Sequence, residues 1–354
     1  MPYFMYVALQ GDGKILTFKM DPDSGKLEPQ EELAISGGPA PLAVDPQRRY
    51  LYAGRRESKE LSSFSIDQKT AGLSLIGTVP LETDSVYLAT DRKGRFLLSA
   101  YYEGSMVTVH TIGEDGAVMD PPVQTLPTAR GAHSVQTDPS NKFAFAPHIA
   151  AGRGPNAIFQ FRFDENSGTL SPSDSPRVAL EEELGPRHFC FHPNGNTIYF
   201  SNEQGCSVTA YRFDRTAGTL SAFQTISTLP QGYQGDNTCA QIQISPNGRF
   251  LYAPNRGHNS IACFTVDQVT DELAPIGQTS SEDMPRVIGL DPQGKFLFAA
   301  GHASGRLASY RINNDTGNLE PLESYPLGER PMWVMIIELP DEQYRRFKVH
   351  LVQK

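Results

Sequence analysis

Short apolar runs separated by turn residues make up almost the whole chain. In residues 185–205, GPRHFCFHPNGNTIYFSNEQG, an apolar run (Phe189 to Phe191) meets the turn His192-Pro193-Asn194-Gly195. A second run (Thr197 to Phe200) follows, and the segment ends in a polar loop carrying Glu203. Two such runs joined by Pro-Asn-Gly predict an antiparallel hairpin. The outer ends of that hairpin, Arg187-His188 and Glu203, then lie on the same side of a sheet.

The turn recurs as DPQRRYLY at Asp45, DRKGRFLL at Asp91, DPSNKFAF at Asp138, HPNGNTIY at His192, SPNGRFLY at Ser245 and DPQGKFLF at Asp291. Their first residues are 46, 47, 54, 53 and 46 apart. Spacing of this size matches the blades of a β-propeller. A second pattern runs out of phase: DPDSGKL from Asp21, DQKTAGL from Asp67, DENSGTL from Asp164, DRTAGTL from Asp214 and NDTGNL from Asn314. EDGAV from Glu114 is a shortened copy, and DQVTDEL from Asp267 carries Asp271 where the others have glycine. The glycine or its stand-in is expected to supply the positive φ of a hairpin loop.

The first pattern occurs six times and the second seven. The surplus copy of the second lies at the N-terminus, and a lone apolar run, Met332 to Leu339, lies near the C-terminus. The two ends therefore complete one blade together, which hides the edges an open array would expose. The fold class predicted is all-β, a seven-bladed propeller with one blade closed by strands from both termini. Residues 1–340 form a single domain, with a tail at 341–354 outside the repeat.

With strands a to d running outward from the axis, the a–b turns and c–d hairpins share one face. That face repeats the same turn chemistry. The other face holds the variable d–a and b–c loops, where function is expected. Its d–a loops carry Arg130, His133, Arg187, His188, Asn237, Arg286, Arg330 and Trp333, and Glu203 reaches in from a b–c loop. His148 lies farther out in another b–c loop and is added to the substrate contacts. His188 and Trp333 have a purely packing alternative, and Glu203 has that of a structural ion pair.

Gly 31 and Pro 27 fit many turns, and 39% hydrophobic residues fit a large core. Net charge is −9 and the pI about 5.4, which argues against nucleic acid or an anionic membrane as partner. Arginines converging in an acidic protein suggest a small anionic ligand, because the guanidinium fork matches carboxylate or phosphate. No apolar run approaches the ~20 residues of a membrane span, and the N-terminus does not read as a signal peptide. The four cysteines lack CxxC spacing and the histidines lack HxH or HxxxH. No metal site and no cofactor are expected, the cysteines are expected to be reduced thiols, and the location cytoplasmic.

GPRHFCFHPN…YFSNE, DPQGKFLFAAG and GERPMWV resemble the bacterial 6-phosphogluconolactonase family of seven-bladed propellers, over about residues 3 to 338. The chain is also similar to fungal carboxymuconate cyclases and to lactonases acting on sugar-acid lactones. The resemblance implies a site of one histidine, two arginines and a glutamate, carried here by His133, Arg187, Arg286 and Glu203. It implies hydrolysis of a sugar δ-lactone, 6-phosphoglucono-δ-lactone in the pentose phosphate route, with Glu203 or His133 as base and the arginines on the oxyanion. Arg130, His188, Asn237, Arg330, Trp333 and His148 are the expected substrate contacts, and a monomer or weak homodimer the expected assembly. HIAAGRGPN (148–156) departs from the family pattern and leaves the substrate open. The alternatives are a dicarboxylate or sugar-acid lactone, and a non-catalytic interaction module.

Overall fold

The computed structural model describes residues 1–340. They form seven antiparallel sheets, six built from consecutive strands and one shared by the chain ends. In the shared sheet Pro331–Glu338 is innermost and pairs with Tyr3–Leu9, followed by Lys14–Met20 and Leu27–Ala34. The predicted seven-bladed propeller with a composite closing blade is borne out. The proposed tail, 341–354, lies outside the described residues.

The local chemistry of the repeat explains the strand ends. In the a–b turns the leading Asp side chain caps the backbone that follows. Asp45 Oδ1 accepts from the N–H groups of Arg49 and Tyr50, each at 2.6 Å, and Asp138 Oδ1 from Lys142 and Phe143, each at 2.8 Å. In the c–d hairpins Asp21, Asp67, Asp164, Asp214 and Asp267 accept from N–H groups further round the turn. Asn313, one residue before the predicted start, does this in the last copy. These side chains satisfy donors the tight turn would leave bare.

Burial is deepest in the second strand of each blade and falls toward the outer edge. Middle strands such as Phe143–His148 and Thr197–Asn202 are buried along their whole length, whereas the outermost strand Leu27–Ala34 is mostly exposed and rich in Glu and Gln. Aromatic residues of neighbouring blades fill the wedges between sheets, as where Phe145 packs on Phe189 and Phe213. The sheets are therefore held rigidly, and the loops at one end of the axis inherit fixed positions.

Candidate functional site

The innermost strands carry one irregularity at a repeated place. In the fourth blade Pro186 pairs with Asn202 and His188 with Ser201, so Arg187 is an extra residue. In the sixth blade Arg286 is extra between Pro285 and Val287 in the same way. In the closing blade the extra residue is Met332. In the third, Ala132 faces His148 and Gln136 faces Phe145, which leaves one surplus residue and puts His133 at the corresponding position. A β-bulge turns its side chain away from the ordinary pleat. Here the bulged residues turn to the axis: His133, Arg187, Arg286 and Met332 line one narrow throat with Ala40, Arg56, His188 and Trp333. Its enclosed volume is only about 20 Å³, room for a single water molecule.

Glu203 follows the second strand of the fourth blade, and its backbone N–H donates to Gly185 O at 2.7 Å. Its carboxylate lies between two guanidinium groups, with Oε2 2.7 Å from Arg187 Nε and Oε1 3.0 Å from Arg256 Nη2. The Arg187 contact is a charge pair without hydrogen-bond alignment: Nε, Nη1 and Glu203 Oε2 are all buried without a hydrogen-bond partner. Arg256 also donates to Cys239 O at 2.7 Å. Arg286 makes no ion pair and no side-chain hydrogen bond among the described residues. Burial, then the like charges of Arg187 and Arg256, push its pKa well down. Three guanidinium groups thus share one carboxylate, and Arg286 feels Glu203 only at a distance.

The histidines report the same field. His133 is held neutral first by burial, then by Arg187, His188 and Arg286, and its pKa falls well below the usual histidine value. Its Nδ1 has no partner. His188 is depressed by burial and by Arg187, Arg286 and Arg256, and its Nε2 is also unpartnered. The His188 ring packs edge-on against Tyr87 at 5.1 Å and His133 at 5.3 Å, and lies 6.2 Å from Trp333. For Glu203, burial acts to raise the pKa, but Arg187 and Arg256 together prevail and hold it below the usual glutamate value.

Of the residues expected from sequence, His133, Arg187, Arg286, Glu203, His188 and Trp333 meet at this opening. Others do not. His148 is fully buried inside the third blade, with Nδ1 2.9 Å from Ala146 O, Nε2 3.0 Å from Thr128 Oγ1 and its ring on Phe159. It is a packing residue, because its partners lie within its own sheet and the loop before it. Asn237 spends its amide on Asn255 and Cys206 and accepts from the His258 N–H. Arg130 and Arg330 stand on the rim, paired with Glu103 at 2.8 Å and Glu57 at 3.3 Å.

Three residues at the site had not been singled out. Arg256 occupies in the fifth blade the position Glu203 holds in the fourth, directly after the last residue paired with the third strand, as NR against NE. Reading that column across the blades finds it, and finds Arg56, whose guanidinium grips Asp84 Oδ2 at 3.0 and 2.6 Å. Tyr87 holds in the second blade the place of His188.

The structure thus defines a closed propeller with arginines and histidines gathered at one end of its axis. Residues 5–336 match the family described as lactonase, 7-bladed beta-propeller, and the chain belongs to it. It is 34% identical over 339 residues to the 6-phosphogluconolactonase of Pectobacterium carotovorum strain PC1, covering 96% of this chain and 100% of that one. The 6-phosphogluconolactonase of Serratia proteamaculans is 32% identical, over 95% and 99% of the two chains. Among solved structures, the periplasmic gluconolactonase of Pseudomonas aeruginosa superposes with a TM-score of 0.87 at 24% identity, over 96% of this chain and all of that one, a likeness of fold. The resemblance drawn from the GPRH and PMWV motifs is therefore borne out. No helix among the described residues is long and apolar enough to cross a membrane.

Proposed function

We propose that this protein hydrolyses 6-phosphoglucono-δ-lactone to 6-phosphogluconate, the reaction for which its curated relatives are named. The observation that carries the reading is Arg286, half-buried and without an ion-pair partner among the described residues, beside the Arg187–Glu203–Arg256 clamp. One carboxylate offsets three guanidinium groups only in part, and an anionic substrate supplies the missing charge. Sugar phosphates are held inside cells, so the same reading favours a cytoplasmic location over the periplasm.

The roles follow from the geometry. Glu203 is clamped by two guanidinium groups and its basicity is lowered, so it aligns Arg187 and Arg256 and does not collect protons. His133 keeps a neutral ring with an unpartnered Nδ1 at a throat with space for one water. That ring accepts the proton of the attacking water as the oxygen joins the lactone carbonyl. The arriving phosphate offsets the arginine field that had kept His133 unprotonated. Arg187 donates to the carbonyl oxygen as it becomes an oxyanion, from a side chain already fixed in place. Arg286 holds the phosphate. Ring opening then releases the sugar hydroxyl, which takes the proton from His133.

A pH-indicator assay, corrected for spontaneous hydrolysis, tests this with 6-phosphoglucono-δ-lactone, glucono-δ-lactone and a muconolactone. A charge-assisted hydrogen bond contributes about 1.5–3 kcal/mol, so the phosphorylated lactone is expected to have a kcat/KM roughly 10- to 150-fold above that of glucono-δ-lactone. Equal values remove the role of the phosphate. Preference for the muconolactone moves the reading to dicarboxylates, and no catalysed release of acid from any of the three ends it.

A further inference from the structure

Two of the four free cysteines meet at the back of the site. Cys206 follows Glu203 by three residues in the same loop and is half-buried. Cys239 is fully buried on the innermost strand of the next blade. The two thiols share one hydrogen-bonded network across the blade boundary, in which the Asn237 amide reaches both Cys206 Sγ and Asn255 Oδ1, and Cys239 Sγ lies 3.7 Å from that same Asn255 oxygen. Around them is a polar nest. Asn237 Nδ2 donates to Cys206 Sγ at 3.3 Å, and Thr228 Oγ1 lies 3.1 Å from Cys239 Sγ. Asn255 Oδ1 accepts from Asn237 and Thr228 at 3.1 and 2.8 Å.

This differs from Cys190 and Cys263, whose thiols burial pushes up. At Cys206 the contact with Cys239 comes first, and the Asn237 N–H and Arg256 charge add to it; together they outweigh burial and favour the thiolate. Cys239 is shifted the opposite way, as expected for the protonated member of a thiol–thiolate pair. A half-buried thiolate beside a second thiol is the arrangement of peroxide-sensing cysteines.

We propose that Cys206 and Cys239 form a reversible disulfide on exposure to a hydroperoxide, and that this bond slows turnover at the neighbouring site. The Cys206 thiolate attacks the outer peroxide oxygen, so an S–O bond forms, the O–O bond breaks, and the departing alkoxide leaves as the alcohol after taking a proton. Cys239 sulfur then attacks the Cys206 sulfenic acid. The S–S bond forms, the S–O bond breaks, and the hydroxide leaves with the Cys239 proton as water. The cysteines lose two electrons and the peroxide gains them. The coupling to the site is direct. The Cys239 N–H donates to Glu203 O at 3.1 Å, and Cys239 O receives Arg256 Nη2, so a link at Cys239 pulls on both ends of the Glu203–Arg256 pair.

The test treats the full-length protein with a few equivalents of hydrogen peroxide, alkylates it under denaturing conditions and maps the peptides by mass. The expected result is a fall from four alkylatable thiols to two. The Cys206 and Cys239 peptides should be joined, and dithiothreitol should restore them. In C239S a dimedone adduct should form at Cys206, and C206S should form neither link nor adduct. Turnover of the linked protein should fall several-fold and recover on reduction, while C206S keeps its rate in peroxide. Four thiols remaining in the wild type, a link between other cysteines, or a linked protein with unchanged turnover would each overturn the proposal. The thiol count does not depend on the substrate, so a failure of the phosphogluconolactone reading is seen separately, as an inactive untreated protein.

Discussion

At the residue scale, the proposed base His133 sits in the field of Arg187 and Arg286, so its strength depends on what is bound. In the free protein its proton affinity is depressed, so the acid limb of kcat/KM is expected well below pH 6.5. With the phosphate bound, the arginines are offset and the limb of kcat should lie at higher pH. The sign is fixed, because only the neutral ring accepts a proton: both limbs fall as pH falls. Coincident limbs in kcat and kcat/KM would remove His133 as the base. Substitution tests the same assignment. Arg187→Ala and His133→Ala should each lower turnover at least about 100-fold with the fold intact, since loss of one oxyanion donor costs about 2.7–4 kcal/mol and a positioned general base contributes about 10²–10⁴-fold. Glu203→Gln keeps the shape but unbalances Arg187 and Arg256, and should reduce kcat and move the acid limb to lower pH; disappearance of that limb would make Glu203 the base. Much of this was legible in the chain, because residues just before an inner strand are placed by topology alone. His148 was not, because chain position does not reveal whether a side chain turns into its own sheet. Arg256 was missed because the Glu203 position was read in one blade only.

At the element scale, each blade is fitted to its neighbour by one contact between a hairpin and an aromatic ring. A Cβ on Gly218, at φ +74°, would stand 2.1 Å from Phe143 Cδ1, and Gly168 faces Phe96, Gly317 faces Phe250 and Gly25 faces Phe296 in the same way. The rings are the first aromatics after the a–b turns, so the two sequence repeats are complementary halves of one joint. The expectation that glycine supplies the positive φ fails in one hairpin, where Ala71 at φ +60° takes that place instead of Gly72. The fourth and fifth blades solve the joint differently. Thr197 stands where the other blades have Phe or Tyr, and the facing hairpin has Asp271, whose Oδ2 accepts from Thr197 Oγ1 at 2.7 Å and pairs with Arg212 at 3.1 Å. Asp271 was noticed in the sequence as a missing glycine. Its cause was hidden because its partner lies 74 residues away. Thr197→Phe should drive a ring into Asp271, and Asp271→Gly should strand Thr197, Asn194 and Arg212. Together they rebuild the joint of the other blades. Denaturant midpoints should show the double variant more stable than the sum of the singles, by at least about 1 kcal/mol. Strict additivity would mean that the two positions do not form one joint.

For the whole molecule, ring closure puts four histidines where they cannot be charged. His110 and His148 are pulled down to about 4 by burial, and His133 and His188 fall well below 6.5, first by burial and then by neighbouring charge. Once the wheel opens, all four return to a pKa of about 6.5. Below that value the unfolded chain binds protons that the closed wheel does not, so stability is full above pH 6.5 and lost as pH falls. Each neutral histidine removes about 1.4 kcal/mol per pH unit until its folded pKa is reached. The paired carboxylate of Glu203, also depressed, adds its loss only near and below pH 4.5. Four groups acting over two units amount to on the order of 10 kcal/mol, comparable with the 5–15 kcal/mol that holds a typical domain together. Equilibrium urea unfolding at half-unit steps from pH 7 to 4.5 should therefore show a steep loss of stability. His148→Gln keeps polar capacity but cannot titrate, so it should reduce the slope by about one proton while leaving lactonase turnover near that of the wild type. A stability profile flat from pH 6.5 to 4.5 would show that these rings are reached by protons without opening the wheel, and a His148→Gln slope equal to the wild type would exclude that ring from the linkage.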